Sequence, residues 1–405
     1  MTCFISSKEI RLDINNYIST LKSLDNSYYI FGAGRIANVV YGLLKDNNIA
    51  VDAFVVSNST QNKKELHDIS VLQADSYEVD KTKAVLIAVI EHGDKKIHSY
   101  LESLGFTKII DTPEGIFDYD PWEHKRFRSP IIEVTSKIGC AVNCKYCPQK
   151  LLIERYYTDN KNRKNIMTFV DYKRFLDKCP AETIVDFSGF VEPFLNDDSI
   201  AMMEYTYQTG HEMTLFTTLR GLTFERAEKV VKMPFRYVCL HTPDKDGFAN
   251  IPMTDEYFKI LDLFLDAKKK NGEPFIDVAN CQSEAHPDVI KHSQGKLKIY
   301  CEMSDRAGNL DKNDPTLTHA RKEGAIYCSR AAAMNHFVLL PDGSLALCCN
   351  DFGLKHIVGN LNDSSYQEIV QGDVMKNLFM QMKESGTEDI ICRQCMFAEV
   401  VKRVD

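Results

Sequence analysis

Three cysteines fall on one short stretch, Cys140-Ala-Val-Asn-Cys144-Lys-Tyr-Cys147, spaced C-x3-C-x2-C just after the apolar run from Ile131 to Val134. Soft thiolate sulfur selects Zn, Cu(I) or iron–sulfur clusters. Three cysteines on one loop can wrap three corners of a cubane and leave the fourth iron without a protein ligand, and an open metal position is where a substrate or cofactor binds. The competing reading is a structural zinc loop that borrows a fourth ligand, although short zinc loops usually come as C-x2-C pairs.

A second set lies near the C-terminus: Cys328, Cys348 and Cys392-Arg-Gln-Cys395, with Cys349 beside it as a spare that could exchange with Cys348. The segment Leu339 to Leu347 reads as a β-hairpin about Asp342-Gly343, with Cys348 at the end of its return strand. Four thiolates in this arrangement suit a tetrahedral zinc or a closed cluster equally.

The elements that must position these sulfurs read as an α/β chain of three parts. In residues 125–310, six strand-like runs (131–136, 183–188, 212–217, 235–241, 275–281 and 297–303) alternate with helical stretches, the pattern of a parallel partial (βα)6 barrel. Chemistry gathers at the C-terminal ends of such strands. Those ends carry Ser188, Gly189 and Glu192, then Thr217 and Thr218, then His241. Residues two apart share a face of a strand, which turns Asp186 inward with Ser188, along with Glu133, Thr135, Asp277, Tyr300 and Glu302. Together they imply a hydrophilic cavity suited to a polar substrate. Residues 311–405 form a small α+β cluster-binding domain. Arg306, between the two parts, is placed to bind a carboxylate or phosphate.

Residues 1–124 open with a strand and Gly32-Ala33-Gly34-Arg35-Ile36-Ala37, a match to G-x-G-x-x-G/A, as in a Rossmann-like parallel sheet. The acid that would hold a ribose at the tip of the second strand is replaced by Ser57 and Asn58, against NAD. A nucleotide-sugar site and a docking scaffold both remain open for this part.

Across the 405 residues, 26% are charged and 44% hydrophobic, as in soluble globular proteins, and the net charge is −8. A sequence pI near 5.8 argues against nucleic-acid binding. No apolar run is long enough to span a bilayer. Thirteen cysteines without an export signal point to a cytoplasmic protein whose thiols hold metal.

The cysteine loop, with an aromatic residue before its last cysteine and a position after the first barrel strand, resembles the signature of radical S-adenosylmethionine enzymes. The second set, with Gly343 upstream of Cys348, resembles their SPASM or shorter twitch extension. The resemblance implies a [4Fe-4S] cluster on Cys140, Cys144 and Cys147 whose free iron chelates S-adenosylmethionine, and one auxiliary [4Fe-4S] cluster on Cys328, Cys348, Cys392 and Cys395. It places Tyr146 near the adenine and Ser188, Gly189 and Glu192 near the methionine amino group. Thr217 and His241 then fall near the ribose and carboxylate, with Arg306 as a further cofactor contact. A reductase such as flavodoxin or ferredoxin would supply the electron that cleaves S-adenosylmethionine to a 5′-deoxyadenosyl radical. The front part resembles small domains that precede sugar-modifying and methyl-transferring modules in bacterial polysaccharide pathways.

The expected reaction is oxidation of an alcohol of a sugar, nucleotide sugar or aminocyclitol, with the auxiliary cluster accepting an electron and an inward carboxylate, Asp277 or Glu302, taking the hydroxyl proton. The alternatives are modification of a ribosomally made peptide and redox-neutral sugar epimerisation, with Cys349 or Cys281 as hydrogen donor.

Overall fold

The computed structural model describes residues 7–57, 64–89, 95–113, 129–158, 161–301, 305–310, 320–329, 334–383 and 389–400. The chain divides into two compact units, with the break between Ser129 and Pro130.

The first unit runs through α1 (Ser7–Leu24), β1 (Ser27–Phe31), α2 (Arg35–Asp46), β2 (Ala50–Val56), β3 (Glu65–Leu66), β4 (Ile69–Gln73), β5 (Val85–Ile87), α3 (Lys95–Ser103) and β6 (Ile109–Asp111). Its sheet has the order β3-β4-β2-β1-β5-β6, parallel from β4 to β6 with β3 antiparallel at the edge. The helix α1 has no counterpart in the sequence reading. It buries Ile14, Tyr17, Ile18 and Leu21, a stripe at helical spacing, in the same core as Tyr28 and Ile30. The turn from β1 into α2 needs glycine at position 32, where φ is +119° and a Cβ would stand 2.7 Å from the Ala88 carbonyl oxygen. A Cβ at Gly34 would meet nothing within 4 Å. Ser57 ends the described part of the loop after β2, and Asn58 lies outside the described residues.

The second unit contains the barrel strands β7 (Ile131–Val134), β8 (Ile184–Phe187), β9 (Met213–Thr217), β10 (Tyr237–His241), β11 (Val278–Cys281) and β12 (Ile299–Cys301). The helices between them are α4 (Gln149–Tyr156), α5 (Phe169–Leu176), α6 (Ser199–Gln208), α7 (Phe224–Val230), α8 (Asp255–Asp266) and α9 (Pro287–Ser293). Thr168, Thr223 and Thr254 cap α5, α7 and α8, each accepting a backbone N–H three residues on. All six strands expected from the sequence are present, and they pair in parallel in chain order. The barrel stays open: β12 is one edge, and the other side of β7 pairs with a later strand.

That later strand is β14 (His336–Leu339), which follows β13 (Ile326–Cys328) and leads into β15 (Ser344–Ala346) and β16 (Ile357–Asn360). The hairpin about Asp342-Gly343 forms as expected, and β14, β15 and β16 extend the barrel sheet to nine strands. β14 runs parallel to β7 with His336 opposite Ile131 and Val338 opposite Glu133. The helical stretch after it is broken at Gly372 into α10 (Tyr366–Gln371) and α11 (Asp373–Lys383). Finally β17 (Ala398–Val400) pairs antiparallel with β13. One core joins the two parts, since Phe175 and Val185 belong to the same cluster as Phe337 and Leu345. Among the described residues, no helix is long and apolar enough to cross a membrane.

Candidate active site and cluster sites

Strand alternation aims one face of the open sheet into a cavity of about 980 Å³ at the C-terminal ends of the strands. Its wall takes Glu133 from β7, Asp186 and Ser188 from β8 and its end, Phe216 and Thr217 from β9, and Tyr237, Cys239 and His241 from β10. From β11 and β12 come Val278, Asn280 and Tyr300.

The loop after β7 brings Cys140, Cys144 and Cys147 to the same wall, together with Tyr146 and Arg306. Asn143 turns this loop through a left-handed conformation, φ +48°. Its shape is held from outside by the segment after β10, where the Phe248 carbonyl accepts from Lys145 N at 2.8 Å. That segment folds around the buried Asp244, whose carboxylate accepts from the backbone of Asp246, Phe248 and Ala249 at 2.9–3.0 Å. Burial pushes all three thiols up, Cys147 to about 11, while the Arg306 guanidinium works the other way at Cys144 and Cys147. Gln149 reaches Cys147 Sγ at 3.5 Å and also donates to the Phe190 carbonyl.

The segment after β8 supplies the opposite side. Gly189 has φ +61°, and a Cβ there would overlap Thr135 and the β7 backbone. Phe190 N donates to Thr135 Oγ1 at 2.9 Å, which locks this turn to β7. Glu192 is buried with both carboxylate oxygens engaged: Thr217 Oγ1 donates to one at 2.7 Å, and Thr218 N and Oγ1 to the other at 2.6 Å. Burial raises its pKa against these bonds. His241 is pushed down to about 4 by burial and by Arg306, and so stays neutral near pH 7. The Arg306 guanidinium lies 5.8 Å from the Phe352 ring, which itself packs 4.6 Å from Phe190. The structure thus brings Tyr146, Ser188, Gly189, Glu192, Thr217, His241 and Arg306 to one cavity with the loop cysteines.

Asp277 is a different matter. It accepts from Val238 N at 2.7 Å and from the Lys269 ammonium, and it does not line the cavity. β11 begins at Val278 and presents Val278 and Asn280 inward, a strand phase one residue away from the expected one. Glu302 lies outside the described residues. Nor does Cys281 face the cavity: its sulfur is 3.2 Å from that of Cys301 on the neighbouring strand. Cys239 and Cys349 do line it.

A second, smaller chamber is lined by Cys328, Cys348, Cys349, Cys392 and Cys395. Arg393, fully buried between two of these cysteines, donates to the carbonyls of Lys322, Gly324 and Gln381 and so pins the C-x2-C turn beside the start of β13, which carries Cys328. Asn350 supplies N–H groups to Cys348 Sγ at 3.4 Å and Cys395 Sγ at 3.8 Å. Burial raises Cys392 and Cys395, the latter to about 11. At Cys348 the hydrogen bond with Cys349 is the largest upward influence, ahead of burial.

Four thiolates around one zinc at about 2.3 Å stand roughly 3.8 Å apart. Among the described residues, the group of His, Cys, Asp and Glu ligand atoms gathered within 4.8 Å of one another is Glu133, Asp186 and His336, not either cysteine set. The sulfurs are therefore spread for a group larger than one metal ion, and all-thiolate donors in buried chambers suit [4Fe-4S] clusters. Three loop cysteines leave one iron for S-adenosylmethionine, and four cysteines close the second cluster.

Sequence reasoning did not single out His336, Cys239 or Asp244. The Asp-Lys-Asp-Gly run at 244–247 is a turn signal that could have marked Asp244. Nothing local marks the other two.

A family model for the SPASM iron–sulfur cluster-binding domain matches residues 328–396, which hold all the cysteines of the second chamber. Comparison with curated proteins gives no match. Among solved structures, BtrN in complex with AdoMet and 2-DOIA shares 17% identity over 63% of this chain and 87% of its own, with a TM-score of 0.39. SuiB from Streptococcus suis bound to S-adenosylmethionine shares 12% over 75% and 81%, with a TM-score of 0.41. The enzyme anSMEcpe with bound AdoMet shares 14% over 63% and 81%, at 0.39. With an iron–sulfur SPASM domain at its C-terminal end and a C-x3-C-x2-C loop at the mouth of an open parallel barrel, the chain is a radical S-adenosylmethionine enzyme.

Proposed function

We propose that this enzyme oxidises a secondary alcohol of a polar substrate, a sugar, nucleotide sugar or aminocyclitol, to a ketone. The observation that carries this reading is the shared wall of the two chambers: Glu133, Cys349 and Phe397 line both the large cavity and the SPASM cysteine chamber. Bound in these chambers, S-adenosylmethionine and the two clusters supply a hydrogen-abstracting radical and a one-electron acceptor. The protein's residues do the rest. Glu133, Asp186, Ser188, Tyr237, Asn280 and Tyr300 give the cavity hydrogen-bonding groups on several strands, as orientation of a polyol requires. The buried Glu192, held by Thr217 and Thr218, sits beside Cys140 with the geometry to receive an ammonium group of the cofactor. Arg306 adds positive charge near the loop cysteines and faces a carboxylate.

Epimerisation is the second reading, because it needs a hydrogen donor in the cavity. Cys239 stands there with its thiol kept protonated by burial, pushed up to about 12. Anaerobic turnover with candidate nucleotide sugars and aminocyclitols, deuterated at the carbinol carbon, separates the two. Oxidation moves deuterium into 5′-deoxyadenosine and gives a product lighter by the elements of dihydrogen. Epimerisation gives an isomer of the starting alcohol.

A further inference from the structure

Glu133 and Asp186 stand opposite each other on paired parallel strands, β7 and β8, and both face the cavity. Two buried carboxylates side by side repel, and here a cation answers them. His336, brought in by the pairing of β14 with β7, holds its Nε2 2.6 Å from Glu133 Oε1. All three side chains lie within 4.8 Å of one another. Glu133 and His336 reach into the wall of the SPASM cysteine chamber, whereas Asp186 belongs to the large cavity alone. Asp186 is 7% exposed, and its Oδ1 has no hydrogen-bond partner among the described residues.

We propose that Asp186 is the residue that takes the hydroxyl proton of the substrate, with Glu133 and His336 as positioning residues that set its charge and lead the proton toward the cysteine chamber. The proposal rests on the alcohol-oxidation reading and replaces Asp277 in the role expected for it. The balance is that of a two-electron oxidation. The carbinol C–H leaves as a hydrogen atom and one electron leaves by the cofactor chemistry described above. The O–H proton passes to the Asp186 carboxylate, and the carbon is left double-bonded to oxygen.

The electrostatics agree in direction. Asp186 is pushed up to about 7 by burial and by Glu133, with His336 and the Ser188 and Thr214 hydroxyls working against the rise. A group poised there can accept a proton near neutrality and release it again. The other titratable groups facing it are Tyr237 and Cys239 on β10, both raised and so neutral. His336 is disfavoured as a cation by burial, but Glu133, Cys349 and Asp186 outweigh that and raise it.

Infrared titration of the reconstituted holoenzyme tests this without a substrate. A protonated-carboxyl band should fade as pH rises through about 7 and be missing in Asp186→Asn. His336→Gln removes a positive neighbour and should carry the fading to higher pH; Glu133→Gln removes a negative one and should carry it lower. With an alcohol that the wild type oxidises, Asp186→Asn should lower ketone formation by about 100-fold or more, the scale of general-base catalysis. His336→Gln should instead displace the pH profile of ketone formation upward. 5′-Deoxyadenosine release and iron content should stay within about twofold in all three variants, as expected for groups outside both cysteine sets. No such band, a band unmoved in His336→Gln and Glu133→Gln, or ketone formation unchanged in Asp186→Asn would overturn the proposal. Wild type that yields only an isomer, with the band behaving as described, would instead condemn the oxidation reading.

Discussion

Gly189 crosses β7 so closely that a Cβ built on it would stand 3.0 Å from the Thr135 nitrogen and closer still to its hydroxyl. The residue is thus a glycine for steric reasons, and the crossing sets where Phe190 and Glu192 enter the cavity. Gly189→Ala should lower stability by about 2 kcal/mol or more, from left-handed backbone strain and overlap together. Chemical denaturation measures the loss, and weaker S-adenosylmethionine binding should accompany it.

Glu192 gives a sharper test of the cofactor pocket. Its two oxygens accept three bonds from Thr217 and Thr218. Glu192→Gln keeps the shape, removes the charge and presents an N–H to donors. Equilibrium dialysis should show S-adenosylmethionine binding weakened tenfold or more, about 1.4 kcal/mol. Iron content should not change.

Asp244 acts at a distance from the cofactor by folding the segment that carries the Phe248 carbonyl to Lys145. Asp244→Ala strips three backbone N–H groups of a carboxylate partner, each worth about 1.5–3 kcal/mol. The loop cluster should then be lost to chelators much faster than in wild type, while the cluster of the second chamber is retained.

The loop cysteines themselves predict a count. Anaerobically reconstituted protein should carry about eight irons, and Cys140, Cys144 and Cys147 all changed to Ala should leave about four. Iron assay and the loss of reductive S-adenosylmethionine cleavage check this together.

Much of this was legible in the sequence because it is local. The cysteine spacings, the capping threonines Thr168 and Thr254 and the Asp342-Gly343 turn are each written within a few residues. The six barrel strands are apolar runs of the right length, and Asp186 and Ser188 fall on the cavity face as alternation requires. Asp277 misled because the buried Phe275 and Ile276 make the strand look earlier than its pairing with β10 allows: Cys239 opposes Val278, and that register sets which residues turn inward. His336 shows the opposite limit. It sits on an ordinary apolar strand, and only the parallel pairing of β14 with β7, between segments about 200 residues apart, brings it to Glu133. α1 was readable, since Ile14, Ile18 and Leu21 repeat at helical spacing, but its polar residues drew the eye instead.

The central claim is that the SPASM cysteines hold the acceptor for the substrate's electron next to the cavity. Its most direct measurement is the ratio of oxidised product to 5′-deoxyadenosine when Cys392 and Cys395 are both changed to Ala. The account predicts that 5′-deoxyadenosine still forms while oxidised product disappears, with iron falling to about four per chain as one closed cluster is lost. Oxidised product formed at the wild-type ratio by protein that has lost that iron would contradict it.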